Sequence, residues 1–245
     1  ARYNPLFIHG GSGMGKTHLL NAAGNAYLQA HPGMRVRYGS AEEFTEELIT
    51  AIQEGMLPAL RARYRSADVL LLDDVQSLAG RERTQEEFFH VFNELHASRR
   101  QILVTSDRAP GELEGVEERL VSRFSGGLVV EISPLDERTA AGALLVLLGA
   151  EGFALDEELA DELAHRLQPR NMREIQGQAK RASIRAEASG MAKDAAFLRR
   201  ILLRDADVHV PVEPGGTRVD PFFTDPYKVA RHWEPLADRL RERLA

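Results

Sequence analysis

Gly10-Gly11-Ser12-Gly13-Met14-Gly15-Lys16-Thr17 decides the reading of this chain. The stretch follows the pattern glycine, four residues, then Gly-Lys-Thr, a turn whose backbone N–H groups point inward around an anion. Just before it, Leu6-Phe7-Ile8-His9 reads as a short strand, and helical periodicity begins at Lys16 and continues to residue 30. A helix starting there adds the positive end of its dipole to the anion site. In this geometry Lys16 reaches the β- and γ-phosphates of a nucleoside triphosphate, and Thr17 offers its hydroxyl to Mg²⁺. A glycine-rich turn with no ligand is the competing reading, and it leaves the flanking strand and helix unexplained.

Working outward, Val69-Leu70-Leu71-Leu72 has no polar alternation, so it belongs inside a sheet covered on both faces. It ends in Asp73-Asp74, where a carboxylate at the end of a strand stands beside the phosphate loop. Asp73 is assigned to Mg²⁺, held through water, and Asp74 to polarising the attacking water. Alone, two such acids could equally be solvated charges closing a strand. Residues 35–38, 101–105 and 128–132 read as further strands, and 42–54 and 84–98 as helices. Five strands separated by helices predict a parallel α/β sheet flanked by helices, filling residues 1–134.

After Ser133-Pro134 only helical periodicity remains, with Leu159, Leu163 and Leu167 at helical spacing. A small α-helical subdomain is expected over residues 135–204. Residues 205–245 read as a linker, with Pro211, Pro214, Gly215 and Gly216, followed by an amphipathic stretch at 227–244 interrupted by Pro235.

Composition narrows the function classes. The 245 residues are 43% hydrophobic and 28% charged, ordinary values for a soluble globular protein. No apolar run is long enough to span a bilayer, and residues 1–5 do not read as a signal peptide. The absence of cysteine excludes disulfides and thiolate metal sites and fits a cytoplasmic location. A first residue other than Met suggests a piece of a longer protein. The formal net charge of −6 argues against a freestanding duplex-DNA binder and confines nucleic-acid contact to a local patch or an assembled groove.

A phosphate loop and an acidic strand end do not separate a small-molecule kinase from an ATP-driven switch. Further segments do: Asn4-Pro5-Leu6-Phe7-Ile8-His9, Lys16-Thr17-His18-Leu19-Leu20, Tyr64-Arg65-Ser66-Ala67-Asp68 and Asp73-Asp74-Val75-Gln76. To these are added Gln85-Glu86-Glu87-Phe88-Phe89-His90, Thr105-Ser106-Asp107-Arg108 and Gly115-Val116-Glu117-Glu118-Arg119-Leu120-Val121-Ser122-Arg123-Phe124. Together they resemble the AAA+ ATPase core of the bacterial replication initiator DnaA family, from about Asn4 to about Leu203. The resemblance implies a five-stranded P-loop sheet with a helical lid, binding ATP or ADP with Mg²⁺ through Gly11, Ser12, Gly13, Met14, Gly15, Lys16, Thr17 and His18. It implies a weak ATPase in which Asp107 senses the γ-phosphate and Arg123 is an arginine finger presented to a neighbouring subunit. Arg119 is a second inter-subunit arginine, and Arg173, in Asn171-Met172-Arg173-Glu174, faces the phosphates of its own subunit's nucleotide. Each arginine taken alone would more often be a solvated surface charge.

The same resemblance makes residues 41–65 a helical insertion and places Ile49, Arg81, Arg83 and Thr84 at positions that grip single-stranded DNA. The competing reading makes Ile49 helix core and the arginines loop charges. Two departures stand out: nothing after Leu203 resembles the initiator's helix-turn-helix domain, and only three residues precede Asn4. The favoured expectation is therefore an ATP-dependent switch in DNA replication initiation that self-assembles through AAA+ interfaces. The alternative is a regulatory, Hda-like adaptor ATPase that docks on an initiator or another replication protein. Its docking element would be the tail with Phe222, Phe223, Tyr227 and Trp233, whose aromatics could equally pack on the chain's own lid.

Overall fold

The computed structural model describes residues 3–203. The strand without alternation, β3 (Val69–Asp73), is buried along its whole length. It pairs in parallel with β2 (Val36–Ser40) and β4 (Gln101–Ser106), β4 pairs with β1 (Leu6–His9), and β1 with β5 (Leu128–Glu131). The resulting five-stranded parallel sheet has the order β2-β3-β4-β1-β5. β2 begins one residue later and runs two residues further than its sequence pattern predicted, because its ladder with β3 continues to Ser40 opposite Asp73.

Period-two alternation splits β3 between two apolar layers. Val69 and Leu71 pack with Leu20 of α1 (Lys16–Ala30) and Leu103 of β4. Leu70 and Leu72 face the opposite layer, built from α2 (Ala41–Gln53), α3 (Leu57–Arg65), α4 (Glu82–Ala97) and α5 (Glu118–Ser125). That layer is centred on aromatics, with Phe88 lying 5.6 Å from Phe44 and 6.4 Å from Phe124 between ring centroids. The predicted helix at 42–54 is α2, started by a capping box between Ser40 and Glu43. The insertion breaks into two helices at Gly55, which takes φ +68°, and Pro58 sits in the first turn of α3.

The described residues fall into two compact units: residues 3–11 with Gly15–Ile132, and Ser12–Met14 with residues 133–203. The second unit is helical, formed by α6 (Glu137–Ala150), α7 (Glu157–Leu167), α8 (Met172–Ser189) and α9 (Ala195–Leu198). Its own core contains Leu144, Leu148, Leu159, Leu163, Ile175 and Leu198. Asp136, Asp156, Asn171 and Asp194 cap these helices with side-chain oxygens. The expected linker and tail, with its aromatics, lie outside the described residues. Among the described residues no helix is long and apolar enough to cross a membrane.

Candidate active site

In the parallel sheet the carboxyl ends of β1, β3 and β4 open on one edge, because His9 stands opposite Ser106 and Leu72 opposite Val104. That edge receives the phosphate loop after β1, Asp73 and Asp74 at the end of β3, and Asp107 just past β4. Gly15 caps α1 at φ +88°, a dihedral for which glycine incurs no Cβ clash. Lys16, only 7% exposed, donates from Nζ to the carbonyls of Gly10 at 2.8 Å and Gly11 at 3.0 Å. An ammonium has three donors, so one remains for a phosphate oxygen. Thr17 is exposed at the start of α1, and His18 is partly buried behind it. Burial holds the His18 imidazole below its ordinary pKa, with the Asp73 charge opposing.

Asp73 is 4% exposed. The fully buried Thr105 hydroxyl donates to its Oδ1, and the Tyr38 hydroxyl donates to Oδ2 at 3.4 Å. Burial, helped by the Asp73 charge, pushes the Tyr38 phenol up to about 12, so it remains a donor at neutral pH. Thr105 Oγ1 also accepts the Asp74 N–H at 3.0 Å. A single β4 hydroxyl therefore touches both acids at the end of β3. Asp107 is gripped by Arg108 through Nε and Nη2, both at 2.8 Å. That hydrogen bond, with further pull from the Arg108 and Lys16 charges, holds the Asp107 carboxyl below the usual range.

Arg119 and Arg123 are both exposed on α5, one helical turn apart. The Arg119 guanidinium lies 4.7 Å from the centroid of Phe89, and that of Arg123 lies 6.0 Å from the same ring. Arg119 also pairs with Glu117. Phe89 is therefore a shared platform for both arginines.

Within the helical unit, Arg173 donates from Nη1 to Ser12 Oγ at 2.6 Å, and the Met172 N–H donates to the Gly13 carbonyl at 3.0 Å. Gly13 takes φ +78°, and a Cβ there would stand 2.9 Å from Asn171 Oδ1. The lid motif Asn171-Met172-Arg173 thus folds directly against the tip of the phosphate loop, whose residues Ser12–Met14 group with it. Met14, Pro134, Leu135, Ala140 and Pro169 help to line an adjoining cavity of about 480 Å³.

The residues expected to grip single-stranded DNA divide. Ile49 is 51% exposed on α2, which overturns its reading as helix core. Arg81 and Arg83 are exposed at the start of α4. Thr84, in the first turn of the same helix, is buried at 5% exposure and is the least accessible of the four. Thr105, Gln76 and Phe89 stand inside the sequence motifs, yet the sequence alone gives them no role. Their signal lies in pairing across the sheet and between helices.

These residues can be set beside known proteins. The family described as the bacterial DnaA ATPase domain matches residues 1–131. The chromosomal replication initiator protein DnaA of Corynebacterium aurimucosum is 47% identical over 175 residues, which is 71% of this chain and 32% of that protein. The chain spans between about a third and a half of the length of the curated relatives it matches. The crystal structure of domain III from the Thermotoga maritima replication initiation protein DnaA superposes with a TM-score of 0.76 at 41% identity, covering 85% of this chain and 86% of that one. A structure of replication initiator DnaA bound to AMPPCP and single-stranded DNA matches with a TM-score of 0.68 at 43% identity, over 78% of this chain and 59% of that one. With its parallel P-loop sheet, helical second unit and matching motifs, this chain belongs to the family of bacterial DnaA ATPase domains.

Proposed function

We propose that this chain is the ATP-binding and ATP-hydrolysing switch of a replication initiator, assembling through subunit interfaces and engaging single-stranded DNA. One observation carries the reading: Lys16, Asp73, Asp74 and Asp107 converge at one sheet edge, while Arg123, the remaining member of the hydrolytic set, stands exposed on α5. The relatives named above are initiators, and one matching structure holds AMPPCP and single-stranded DNA, which supports the initiator reading over an adaptor.

The donor set fits Mg²⁺. Asp73 and Thr17 offer hard oxygens, and among the described residues no cluster of three histidine, cysteine or carboxylate ligands competes with them. Mg²⁺ is commonly held by one or two protein oxygens plus phosphates and water. When bound, it would neutralise charge on the β- and γ-phosphate oxygens. Lys16 orients the phosphates with its remaining donor, and loop N–H groups hold them from the opposite side. Asp74 orients a water whose oxygen attacks the γ-phosphorus in line. The bond from phosphorus to the bridging oxygen breaks, its electron pair stays on ADP, and both water hydrogens end on phosphate or solvent. Asp107 reads the γ-phosphate. Arg123 of one protomer stabilises the transition-state charge at its neighbour's nucleotide, and Arg173, tied to Ser12 of the loop, reads its own.

Arg123→Ala tests the reading. Its hydrolysis rate should fall by about a thousandfold, the low end for a finger supplied in trans, while nucleotide affinity changes little. Unchanged hydrolysis together with unchanged ATP-dependent assembly would remove the trans role.

A further inference from the structure

We infer that Gln76 is a positioning residue of the hydrolytic site, locking the Asp74 carboxylate in register with the backbone at Asp107. The inference rests on the nucleotide-switch reading above and adds to it a residue that no family motif role covers.

Asp74 is a non-glycine residue in the left-handed region, at φ 56° and ψ 53°. Such a conformation persists only where its surroundings over-determine it. Three hydrogen bonds fix its backbone. Its N–H donates to Thr105 Oγ1 at 3.0 Å, and its carbonyl accepts the N–H of Ser77 at 3.1 Å and the Ser77 hydroxyl at 3.0 Å. A fourth reaches the functional group itself, from Gln76 Nε2 to Asp74 Oδ1 at 3.0 Å. The other end of the same amide accepts the Asp107 N–H at Oε1, at 3.3 Å.

Chemistry fixes which way this amide points. Reversed, it would set an NH₂ against the Asp107 N–H and an oxygen against a carboxylate, so neither hydrogen bond would survive. Gln76 is therefore a two-ended link between the residue that polarises water and the residue that senses the γ-phosphate. A shift of the Asp107 backbone on sensing a phosphate is passed by this link to the carboxylate that aims the water. Arg108, by contrast, directs its Nε and Nη2 at the Asp107 carboxylate and not at Asp74.

The test compares the native chain with Gln76→Met, which keeps the volume but loses both hydrogen bonds, and Gln76→Glu. The glutamate keeps the shape and the acceptor facing Asp107 but turns a like charge towards Asp74. Mg-ATP hydrolysis, affinity for a fluorescent ATP analogue and thermal melting are measured on each. We expect analogue affinity within about twofold of native, with kcat lowered about tenfold in Gln76→Met and further in Gln76→Glu, as for a displaced catalytic group. The isosteric Gln76→Glu keeps the test decisive should the methionine variant melt early. A kcat within about twofold of native in both variants overturns the inference, and so does a loss confined to analogue affinity. Were the native chain itself neither to bind the analogue nor to hydrolyse ATP, the nucleotide-switch reading would fall, and this inference with it.

Discussion

At the scale of single residues, the two acids that end β3 are tied to a polar group far away in sequence. That group is Thr105, whose hydroxyl donates to Asp73 and accepts from the Asp74 backbone, and it lies fully buried in β4. Thr105→Val keeps the shape and removes both bonds, leaving a buried carboxylate and an N–H short of a partner. We expect a loss of about 1–3 kcal/mol in a urea titration, the usual cost of stranding a buried polar group. The Mg²⁺ concentration needed for half-maximal hydrolysis should rise as well. Thr105→Ser should restore most of both, and a serine variant as impaired as the valine one would show that the hydroxyl alone does not account for the loss.

Elements decide which surface each group faces. α2 contributes Phe44 and Leu48 to the same apolar layer as Val75 and Leu78, so it is anchored beside the turn that leads into α4. This leaves Ile49 outside and brings Arg81 and Arg83 to the exposed start of α4 while burying Thr84. We therefore propose Ile49, Arg81 and Arg83 as the strand-facing set. Replacing both arginines by alanine should weaken oligo-dT binding and flatten its salt dependence, by about 0.7 in the log–log slope for each phosphate no longer neutralised. Ile49→Ala should weaken binding with the slope unchanged, because it removes apolar packing rather than a charge. A double-arginine variant with native affinity and slope would remove this surface from the DNA reading.

For the whole molecule, the charge of −6 and the exposed arginines of α5 fit the proposal that assembly is the step that creates a nucleic-acid groove. No single face needs to be strongly basic if protomers pool a few arginines each. Phe89 stands under both of the arginines proposed to reach a neighbouring subunit, so Phe89→Leu should loosen them and lower ATP-dependent assembly, while Phe89→Tyr should not. Light scattering after size exclusion, in ADP and in a non-hydrolysable ATP analogue, with and without oligo-dT, reads this directly. Growth that requires the triphosphate and is enhanced by the strand is the expected outcome. A species of one size under all four conditions would count against the switch.

What the sequence determined alone was local. The Gly10–Thr17 turn, the uninterrupted apolar run of β3 and the acids that end it are each written within a few adjacent residues, so pattern and propensity suffice to read them. The role expected of Arg173 came only from the resemblance of its motif, and the structure shows its bond to Ser12. What only the tertiary structure decided is which polar side chains meet. The sheet order β2-β3-β4-β1-β5 sets β4 between two strands that precede it in the chain, and this brings Thr105 to Asp73 and the Asp107 backbone to Gln76 across about thirty residues. Side-chain partnership at that separation follows from strand register and helix rotation, which no single segment encodes.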